Sequence, residues 1–444
     1  MCPPKNLNTF KPTMQQKKTD SNLTAVALIT SLFFLWGFAL NLNPILIPHL
    51  KKACQLSDFQ SSLIDSASYI AYFLLPIPAA LFMNKYGYKG GIVLGLLLLS
   101  FGAASVYPAA VVRTYNYFLA ALFVVFSGMA FLETAANPLI TVLGDPAKAT
   151  QRINFSQSFN GLAAVVGPLM GGIFILSGTK LTDAQEKAMS PTQLNEYLNK
   201  EASSVQIPYI VISLVVLTVA ILVWRTTFPV IHEESAGELN TEKRPLGDRI
   251  AELLKDKQLM SGALAEFFYV GGQACVGSFF IKFSDKVAGF SEKAASQIYL
   301  PAAFAGFMAG RFIGTFLMRY FNPVKLLVIY AFTNVVLIIA AVNLKGEAAV
   351  YTLMAVWFFM SIMFPTIFSL SIRDLTAKTK KLGSSLVIMS IVGGAIMPPI
   401  MGWISDKFHN IQLAYLVPGV SFAVILVFAL FNLKAKKVEI VAGH

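Results

Sequence analysis

Long apolar runs, separated by short polar stretches, recur along the chain from residue 24 to residue 432. A helix needs about 20 predominantly apolar residues to cross a bilayer. Twelve stretches meet this requirement, and we number them as predicted spans one to twelve: 24–48, 59–83, 90–109, 116–143, 152–177, 205–225, 259–283, 294–318, 323–343, 349–372, 383–404 and 411–432. The pattern predicts an all-α polytopic membrane protein.

The longest polar stretch between predicted spans, residues 228–258, separates the first six spans from the last six. It divides the chain into an N-terminal tail, a six-helix bundle, a loop, a second six-helix bundle and a C-terminal tail, at residues 1–22, 23–227, 228–258, 259–432 and 433–444. Within the loop, Ile250, Leu253 and Leu254 recur at helical spacing. Two interpretations stay open there: a short amphipathic helix along the membrane surface, or a solvated charged linker.

The two halves carry related features at similar offsets. A basic turn follows the second span of each half, in MNKYGYKGG from Met83 and in MRYFNPVK from Met318. Pro138 in span four has a counterpart in Pro365 of span ten. Such repeats are typical of transporters in which the substrate site lies near the bilayer midplane between two repeats. We therefore predict two pseudosymmetric bundles of six helices each, as in a two-lobed transporter.

Composition supports this class, and the charge pattern predicts the orientation. The chain is 56% hydrophobic and 13% charged, whereas a soluble domain carries roughly 25% charged residues. Of 35 Lys and Arg residues, 23 lie in the termini and the loops on their side, against 11 in the opposite loops. Both termini are therefore predicted to be cytoplasmic, with the chain in the plasma (bacterial inner) membrane. The net charge of +12 reflects topology in the lipid bilayer and indicates no nucleic-acid partner.

Several kinds of chemistry have no sequence signal here. Three cysteines and four histidines, without CxxC or HxxxH spacing, predict neither a disulfide framework nor a metal site. The GxxxxGK[ST] loop that would bind ATP is missing from the sequence. The first 22 residues lack the apolar segment of a signal peptide. We expect no cofactor and no enzymatic activity.

One carboxylate lies inside an otherwise apolar predicted span. Glu133 is near mid-depth in span four, and Asn137 follows one helical turn later on the same face. Gln157 and Asn160 lie at comparable depth in span five. An ionisable group in hydrocarbon is a functional-site hypothesis by default, and a desolvated carboxyl group can bind and release a proton. The alternative is a carboxyl group kept neutral or paired for structure alone. Amide side chains suit the hydroxyls of a sugar.

The second half contributes two ionisable residues at matching depth. Glu266 lies about seven residues into span seven and Arg311 about seven residues into span eight, both counted from the cytoplasmic side. Equal depth on adjacent helices predicts a buried ion pair, whose disruption would cost roughly 3–5 kcal/mol. We interpret this pair as a clamp or a state-dependent gate in preference to a sugar contact.

Four other side chains of the second half are candidates for substrate contact: Tyr269, Gln273, Tyr299 and Phe364. Aromatic rings can stack on sugar faces, and a nearby hydroxyl or amide adds direction. The alternative for each ring is packing between helices.

Six segments resemble the L-fucose/proton symporters of the fucose–glucose–galactose branch of the major facilitator superfamily. They are FLWGFALNLNPILIPHL, LETAANP, QRINFSQSFNG, FFYVGGQ, GRFIGT and FPTIFSL, which begin at residues 34, 132, 151, 267, 310 and 364. The resemblance implies the major facilitator fold, with twelve helices in two pseudosymmetric bundles, a central sugar cavity and proton-driven import. It also implies that Glu133 acts in sugar recognition and coupling, and that Asn41, Asn43, Gln157 and Asn160 line the cavity.

The chain departs from that pattern at one position. Where these symporters carry an Asp after the Asn-Leu-Asn of the first span, this sequence has Pro44, and it has Asp65 in span two, where the pattern usually has Gln. One hypothesis is that the protonatable group has moved to Asp65; the alternative is that Asp65 hydrates an outer vestibule or binds helix ends. Pro44 also predicts a break in span one near Asn43.

The sequence thus favours a secondary transporter that imports L-fucose or a related hexose with protons by alternating access. Glucose/galactose members of the branch tend to carry Gln where this chain has Glu133, which favours fucose. Import of glucose, galactose or an amino sugar, possibly with sodium, is the main alternative. A drug or metabolite exporter and a non-transporting sugar sensor are further alternatives.

Overall fold

The protein was analysed as a computed structural model, which describes residues 14–42, 46, 49–50, 53–56, 69–143, 145–174, 188–226, 245–291 and 294–441. Every regular element within these ranges is a helix. Eight helices there are long and apolar enough to cross a membrane, or nine if the bent pair Lys257–Ser278 and Phe280–Ala288 forms one span. Parts of predicted spans one, two and five lie outside the described residues.

The described part of the first half consists of a helical segment at residues 69–74 and six helices. These are α1 (Met14–Leu40), α2 (Pro76–Val112), α3 (Tyr115–Val142), α4 (Ala149–Phe174), α5 (Pro191–Ser203) and α6 (Gln206–Arg225). Gly87 breaks α2, because its φ of 71° and ψ of 175° are not helical, and glycine adopts positive φ at little cost. This break falls in the basic turn that was predicted to separate spans two and three.

The described part of the second half contains more and shorter helices. They are α7 (Leu246–Leu253), α8 (Lys257–Ser278), α9 (Phe280–Ala288), α10 (Leu300–Leu317), α11 (Pro323–Asn343), α12 (Glu347–Met360), α13 (Met363–Ser371), α14 (Ala377–Met389), α15 (Gly393–Phe408), α16 (Ile411–Ala414) and α17 (Leu416–Val441). A π-helical turn, Ala295–Tyr299, precedes α10.

Predicted spans seven, ten and eleven are each built from two helices. Helices α8 and α9 meet at Phe279 and are bent by 50°. Ser361 and Ile362 separate α12 from α13, and the 3₁₀ turn Ser390–Val392 separates α14 from α15. A break leaves main-chain groups without helical partners. At the α12–α13 break, Arg311 supplies one, because its Nε donates to the Ser361 carbonyl at 2.8 Å.

The first span ends close to the place that Pro44 predicts. Helix α1 ends at Leu40, and Asn41 and Leu42 form a turn. Asn43, Pro44 and Asp65 lie outside the described residues, so their proposed roles stay predictions.

The helices form two bundles that meet along α4 and α10. In the first half, α1 packs on α4, and α2 packs on both α3 and α6. In the second half, α8 packs on α13, α15 and α17, while α11 packs on α12 and α17. Between the halves, α4 packs on α10 and α13, and α14 packs on α2 and α3. The main contacts between the described halves therefore involve α2, α3 and α4 on one side and α10, α13 and α14 on the other.

Helix α10 approaches α12 and the break that follows it closely at two of its three spaced glycines. Gly306, Gly310 and Gly314 have the spacing that favours tight helix contact. A Cβ atom added to Gly310 would meet the Phe358 carbonyl oxygen and, at 2.6 Å, the Ser361 hydroxyl. One added to Gly314 would lie 2.5 Å from Ile362, whereas one added to Gly306 would meet nothing within 4 Å.

Two short helices lie outside the apolar spans. Helix α7 lies in the segment for which a short amphipathic helix was predicted, and its Leu253 is buried. Helix α5 was not predicted, although Ser190 and Gln193 form the capping box that begins it. It is held against the first half by His49, whose Nδ1 lies 3.5 Å from the Glu201 carboxylate.

Candidate functional site

A cavity of about 530 Å³ lies between the two bundles, and each bundle supplies half of its walls. The lining residues are Trp36, Leu40, Asn41, Tyr69, Tyr72, Glu133, Gln157, Asn160, Ala164, Val270, Gln273, Ala274, Phe304, Phe307, Arg311, Trp357, Phe364 and Ile391. The walls are mostly apolar, and a few polar groups converge on the interior. This composition is typical of a small-molecule site.

Glu133 is the carboxylate at this cavity, and it is only 8% exposed. Its carboxyl group interacts with the Tyr72 hydroxyl and the Asn137 amide, although neither donor atom reaches strict hydrogen-bonding geometry. The Asn137 side-chain oxygen accepts a hydrogen bond from Gln157 Nε2 at 3.3 Å. Helices α3 and α4 are thus joined by an amide pair directly beside the carboxylate.

Arg311 supplies the positive charge on the opposite wall. Its Nη1 donates to the Gln157 carbonyl at 2.6 Å, and its Nε donates to the Ser361 carbonyl at 2.8 Å. The guanidinium also lies 4.7 Å from the centre of the Phe307 ring. Arg311 interacts electrostatically with Glu133 across the cavity. One side chain thus bridges three helices and both bundles.

The predicted ion pair between Glu266 and Arg311 is not formed. Glu266 is fully buried, and neither of its carboxylate oxygens has a hydrogen-bonding partner. Arg311 instead uses its donors on the carbonyls of Gln157 and Ser361. Depth along a helix could be read from the sequence, but the direction in which each side chain leaves its helix could not. Glu266 instead interacts electrostatically with the like charge of Glu133.

The structure brings most of the other predicted residues to the cavity. Six of them line it: Asn41, Glu133, Gln157, Asn160, Gln273 and Phe364. Asn137 and Tyr269 are fully buried behind the wall, and the Tyr269 ring lies 6.2 Å from that of Phe364. Tyr299 does not line the cavity; its ring stacks on Phe290 at 4.3 Å, which corresponds to the packing alternative.

Sequence reasoning missed much of the aromatic lining. The missed aromatic residues are Trp36, Tyr69, Tyr72, Phe304, Phe307 and Trp357. Trp36 lies in the FLWGF segment and could have been noted there. The others sit in spans with many aromatic residues, 36 of the chain's residues being Phe, so composition did not distinguish wall from core.

Buried polar atoms without partners are concentrated at the cavity. Among the described residues, six of nine such atoms belong to this region: Tyr72 Oη, Asn137 Nδ2, both Glu266 carboxylate oxygens, Tyr269 Oη and Trp357 Nε1. An unsatisfied buried polar atom costs about 1–3 kcal/mol. Tyr72 and Trp357 line the cavity, so a ligand that carries several hydroxyl groups could satisfy their polar atoms. The polar atoms of Asn137, Glu266 and Tyr269 lie behind the lining residues.

On one side of the cavity, hydrogen bonds join the two bundles. We call the residues that form these bonds the inter-bundle contact layer. Its members lie on α2, α4, α13 and α14, near the ends of predicted spans that the charge pattern assigns to the cytoplasm. The bonds join Asn154 Nδ2 to Thr366 Oγ1 at 3.1 Å, the hydroxyls of Thr150 and Ser369 at 2.9 Å, and Lys381 Nζ to the Met83 carbonyl at 3.2 Å.

Two helical bundles around a shared central cavity define a class of membrane transporter. The family model of the Major Facilitator Superfamily matches residues 27–390. The chain belongs to this superfamily, as the resemblance noted above had indicated, and its architecture is the major facilitator fold.

Individual relatives are similar over nearly the whole chain. The L-fucose-proton symporter of Escherichia coli (strain K12) is 40% identical over 418 residues, which is 94% of each protein. A glucose/galactose transporter of Brucella abortus biovar 1 (strain 9-941) is 38% identical over 434 residues, 97% of this chain and 99% of the relative. The crystal structure of FucP in the outward conformation matches with a TM-score of 0.85 at 39% identity, over 93% of this chain and 99% of that one. These relatives are transporters, not enzymes.

Proposed function

We propose that this protein imports a monosaccharide, L-fucose or a related hexose, together with protons. The relatives described above are an L-fucose-proton symporter and a glucose/galactose transporter. The observation that carries the proposal is the buried carboxylate Glu133, set beside amides at a cavity with unsatisfied donors. A proton carrier and a set of hydroxyl-binding groups therefore share one chamber.

The cavity suits a sugar in size and chemistry. Its volume of about 530 Å³ lies within the range of about 300–1,000 Å³ that is usual for small-ligand sites. Asn41, Asn160 and Gln273 offer both donors and acceptors, and Trp36 and Trp357 offer flat apolar faces. Among the described lining residues a cationic drug would find one carboxylate, Glu133, which is already opposed by Arg311.

In this proposal Glu133 takes part in proton coupling, and Asp65 is a candidate to replace the acid missing at Pro44. Protonation of Glu133 would remove the charge that Arg311 opposes, so the attraction between the bundles would depend on proton binding. If Asp65→Asn leaves sugar-driven proton uptake and its pH profile unchanged, Asp65 has no part in coupling.

The protein is multi-pass, and we propose that both termini face the cytoplasm of a bacterial inner membrane. With that orientation, the inter-bundle contact layer closes the cytoplasmic side, so the conformation corresponds to an outward-facing transporter. Rocking of the bundles about α4 and α10 would then close the outer side of the cavity and open its cytoplasmic side.

The experiment uses purified protein in liposomes. L-Fucose, D-glucose, D-galactose and D-glucosamine are added outside in turn, while external pH and labelled sugar uptake are recorded together. We expect external alkalinisation with one of these sugars, and loss of that alkalinisation in Glu133→Gln. Uptake that follows a sodium gradient and leaves pH unchanged would contradict proton coupling, and saturable binding without uptake would indicate a sensor.

A further inference from the structure

Glu266 is the second acidic side chain buried at the level of the cavity, and it has no structural partner. It is fully buried, and both of its carboxylate oxygens lack hydrogen bonds. On α8 it lies one turn before Val270 and two turns before Gln273, and both of these line the cavity. Residues at this spacing share a helix face. Glu266 therefore lies on the cavity side of α8, one turn deeper than the lining.

The charge balance around Glu266 leaves one negative charge without compensation. Arg311 interacts electrostatically with Glu133 and donates its hydrogen bonds to main-chain carbonyls. Glu266 interacts with Glu133 as a like charge, across the boundary between the bundles. Two carboxylates and one guanidinium would carry a net charge of −1. A buried unpaired carboxylate is so costly that such groups bind a proton instead.

Other charged groups do not compensate Glu266. Tyr269, one turn further along α8, interacts with both Glu266 and Arg311 but is neutral as a phenol. Helix α13, which packs on α8, carries no charged residue. The remaining neighbours of α8 carry their charged residues near helix ends. These are Lys282, Asp285 and Lys286 on α9, Lys378, Lys380 and Lys381 on α14, Asp406 and Lys407 on α15, and Lys434, Lys436, Lys437 and Glu439 on α17.

We propose that Glu266 is a proton-binding residue of the transport cycle, and that it shares one transported proton with Glu133 across the bundle boundary. This inference rests on the proposed sugar–proton symport and deepens it. One proton makes the group of Glu133, Glu266 and Arg311 neutral. Because the two carboxyl groups belong to different bundles, a relative movement of the bundles changes their separation and hence the proton affinity of the pair.

The proposal differs from a purely structural role in what Glu266→Gln should do. Glutamine keeps the shape but makes the cluster neutral without a proton. A transporter with one proton per sugar sustains about tenfold accumulation for each unit of pH difference, because one pH unit and a tenfold ratio are both worth about 1.4 kcal/mol. An uncoupled variant sustains a ratio of about one under the same gradient.

The test compares wild type, Glu266→Gln and the matched control Glu347→Gln in liposomes with an inward proton gradient of one unit. Glu347 is exposed at the start of α12. We expect about tenfold L-fucose accumulation in wild type and control, and a ratio near one for Glu266→Gln. We also expect L-fucose affinity, measured by calorimetry across a pH series, to lose its pH dependence in that variant.

The outcomes separate this inference from the proposed function. If wild type shows no proton-driven accumulation with L-fucose, D-glucose or D-galactose, the proposed symport itself is wrong. If wild type is coupled and Glu266→Gln keeps both tenfold accumulation and the pH profile, Glu266 carries no proton. If Glu266→Gln does not fold, Glu266→Asp replaces it. Its shorter side chain should shift the midpoint of the pH profile, and an unchanged midpoint would overturn the proposal.

Discussion

Arg311 on α10 donates a hydrogen bond of 2.6 Å to the main-chain carbonyl of Gln157 on α4. The acceptor belongs to the first half of the chain and the donor to the second, so this bond joins the bundles at the wall of the cavity. The same guanidinium interacts with Glu133. Proton binding at Glu133 would therefore change the environment of a side chain that holds both halves together.

Arg311→Lys should impair both stability and transport. A lysine ammonium lacks the planar fork that reaches two carbonyls on different helices, and one lost charged hydrogen bond is worth about 1.5–3 kcal/mol. We expect a lower melting temperature in detergent and at least about a tenfold loss of L-fucose uptake. Arg319→Lys is the control, since Arg319 is exposed. Equal behaviour of the two variants would mean that the fork geometry is unimportant.

Lys381→Met should favour opening of the cytoplasmic side. Lys381 is 2% exposed, donates to the Met83 carbonyl at 3.2 Å and lies 4.9 Å from the centre of the Tyr88 ring. Removing this contact weakens the inter-bundle contact layer. In a background without the native cysteines, a cysteine in place of Ser369 should react about fivefold faster or more with a thiol reagent added from the cytoplasmic side.

The control for that experiment is Lys378→Met, because Lys378 is on the same helix but exposed. Its labelling rate should match that of the parent. A higher labelling rate in both variants would point to a general effect of charge removal near α14. An unchanged labelling rate in Lys381→Met would show that the Lys381 contact does not limit opening.

Gly310→Ala and Gly306→Ala should differ sharply in their effects on stability and uptake, although the two glycines lie only one turn apart on α10. An added methyl at Gly310 would overlap the Phe358 carbonyl, while at Gly306 it would enter open space. We expect Gly310→Ala to lower the melting temperature and uptake. Gly306→Ala should be neutral or stabilising, since alanine is favoured over glycine in a helix by about 1 kcal/mol. A neutral Gly310→Ala would mean that α10 and α12 separate easily.

Hydropathy alone predicted where the helices lie, because bilayer thickness and main-chain hydrogen bonding impose a common length on them. Helix α11 coincides with predicted span nine, and α3 and α6 agree with spans four and six to within a residue. The interruptions in the second half were not predicted. A break such as that at Ser361 depends on a hydrogen-bond donor from a distant helix, here Arg311. Hydropathy does not predict such a contact.

For the site, the sequence indicated the residue types better than their pairings. Glu133, Gln157 and Asn160 reach the cavity because polar groups in apolar helices must face protein or water. The expected pair of Glu266 and Arg311 failed because rotation about each helix axis decides which side chains meet. Trp357 was missed because a tryptophan looks the same in sequence whether it lines a cavity or fills a core.

Trp357→Phe should weaken sugar binding without loosening the fold. Trp357 is 3% exposed and lines the cavity, its ring packs 4.7 Å from that of Phe304, and its Nε1 has no partner. Phenylalanine keeps an aromatic ring but removes the donor. One hydrogen bond to a sugar hydroxyl is worth about 1 kcal/mol, so L-fucose affinity should fall about fivefold to tenfold with little change in melting temperature.

The matched control is Tyr299→Phe, which also removes one polar group from an aromatic ring. Tyr299 is stacked on Phe290 away from the cavity walls, so its loss of a hydroxyl should leave affinity unchanged. Calorimetric titration of both variants with L-fucose separates the possibilities. Unchanged affinity in Trp357→Phe would exclude its indole as a sugar ligand. Weaker binding in Tyr299→Phe would indicate that the Tyr299 hydroxyl contributes to sugar binding.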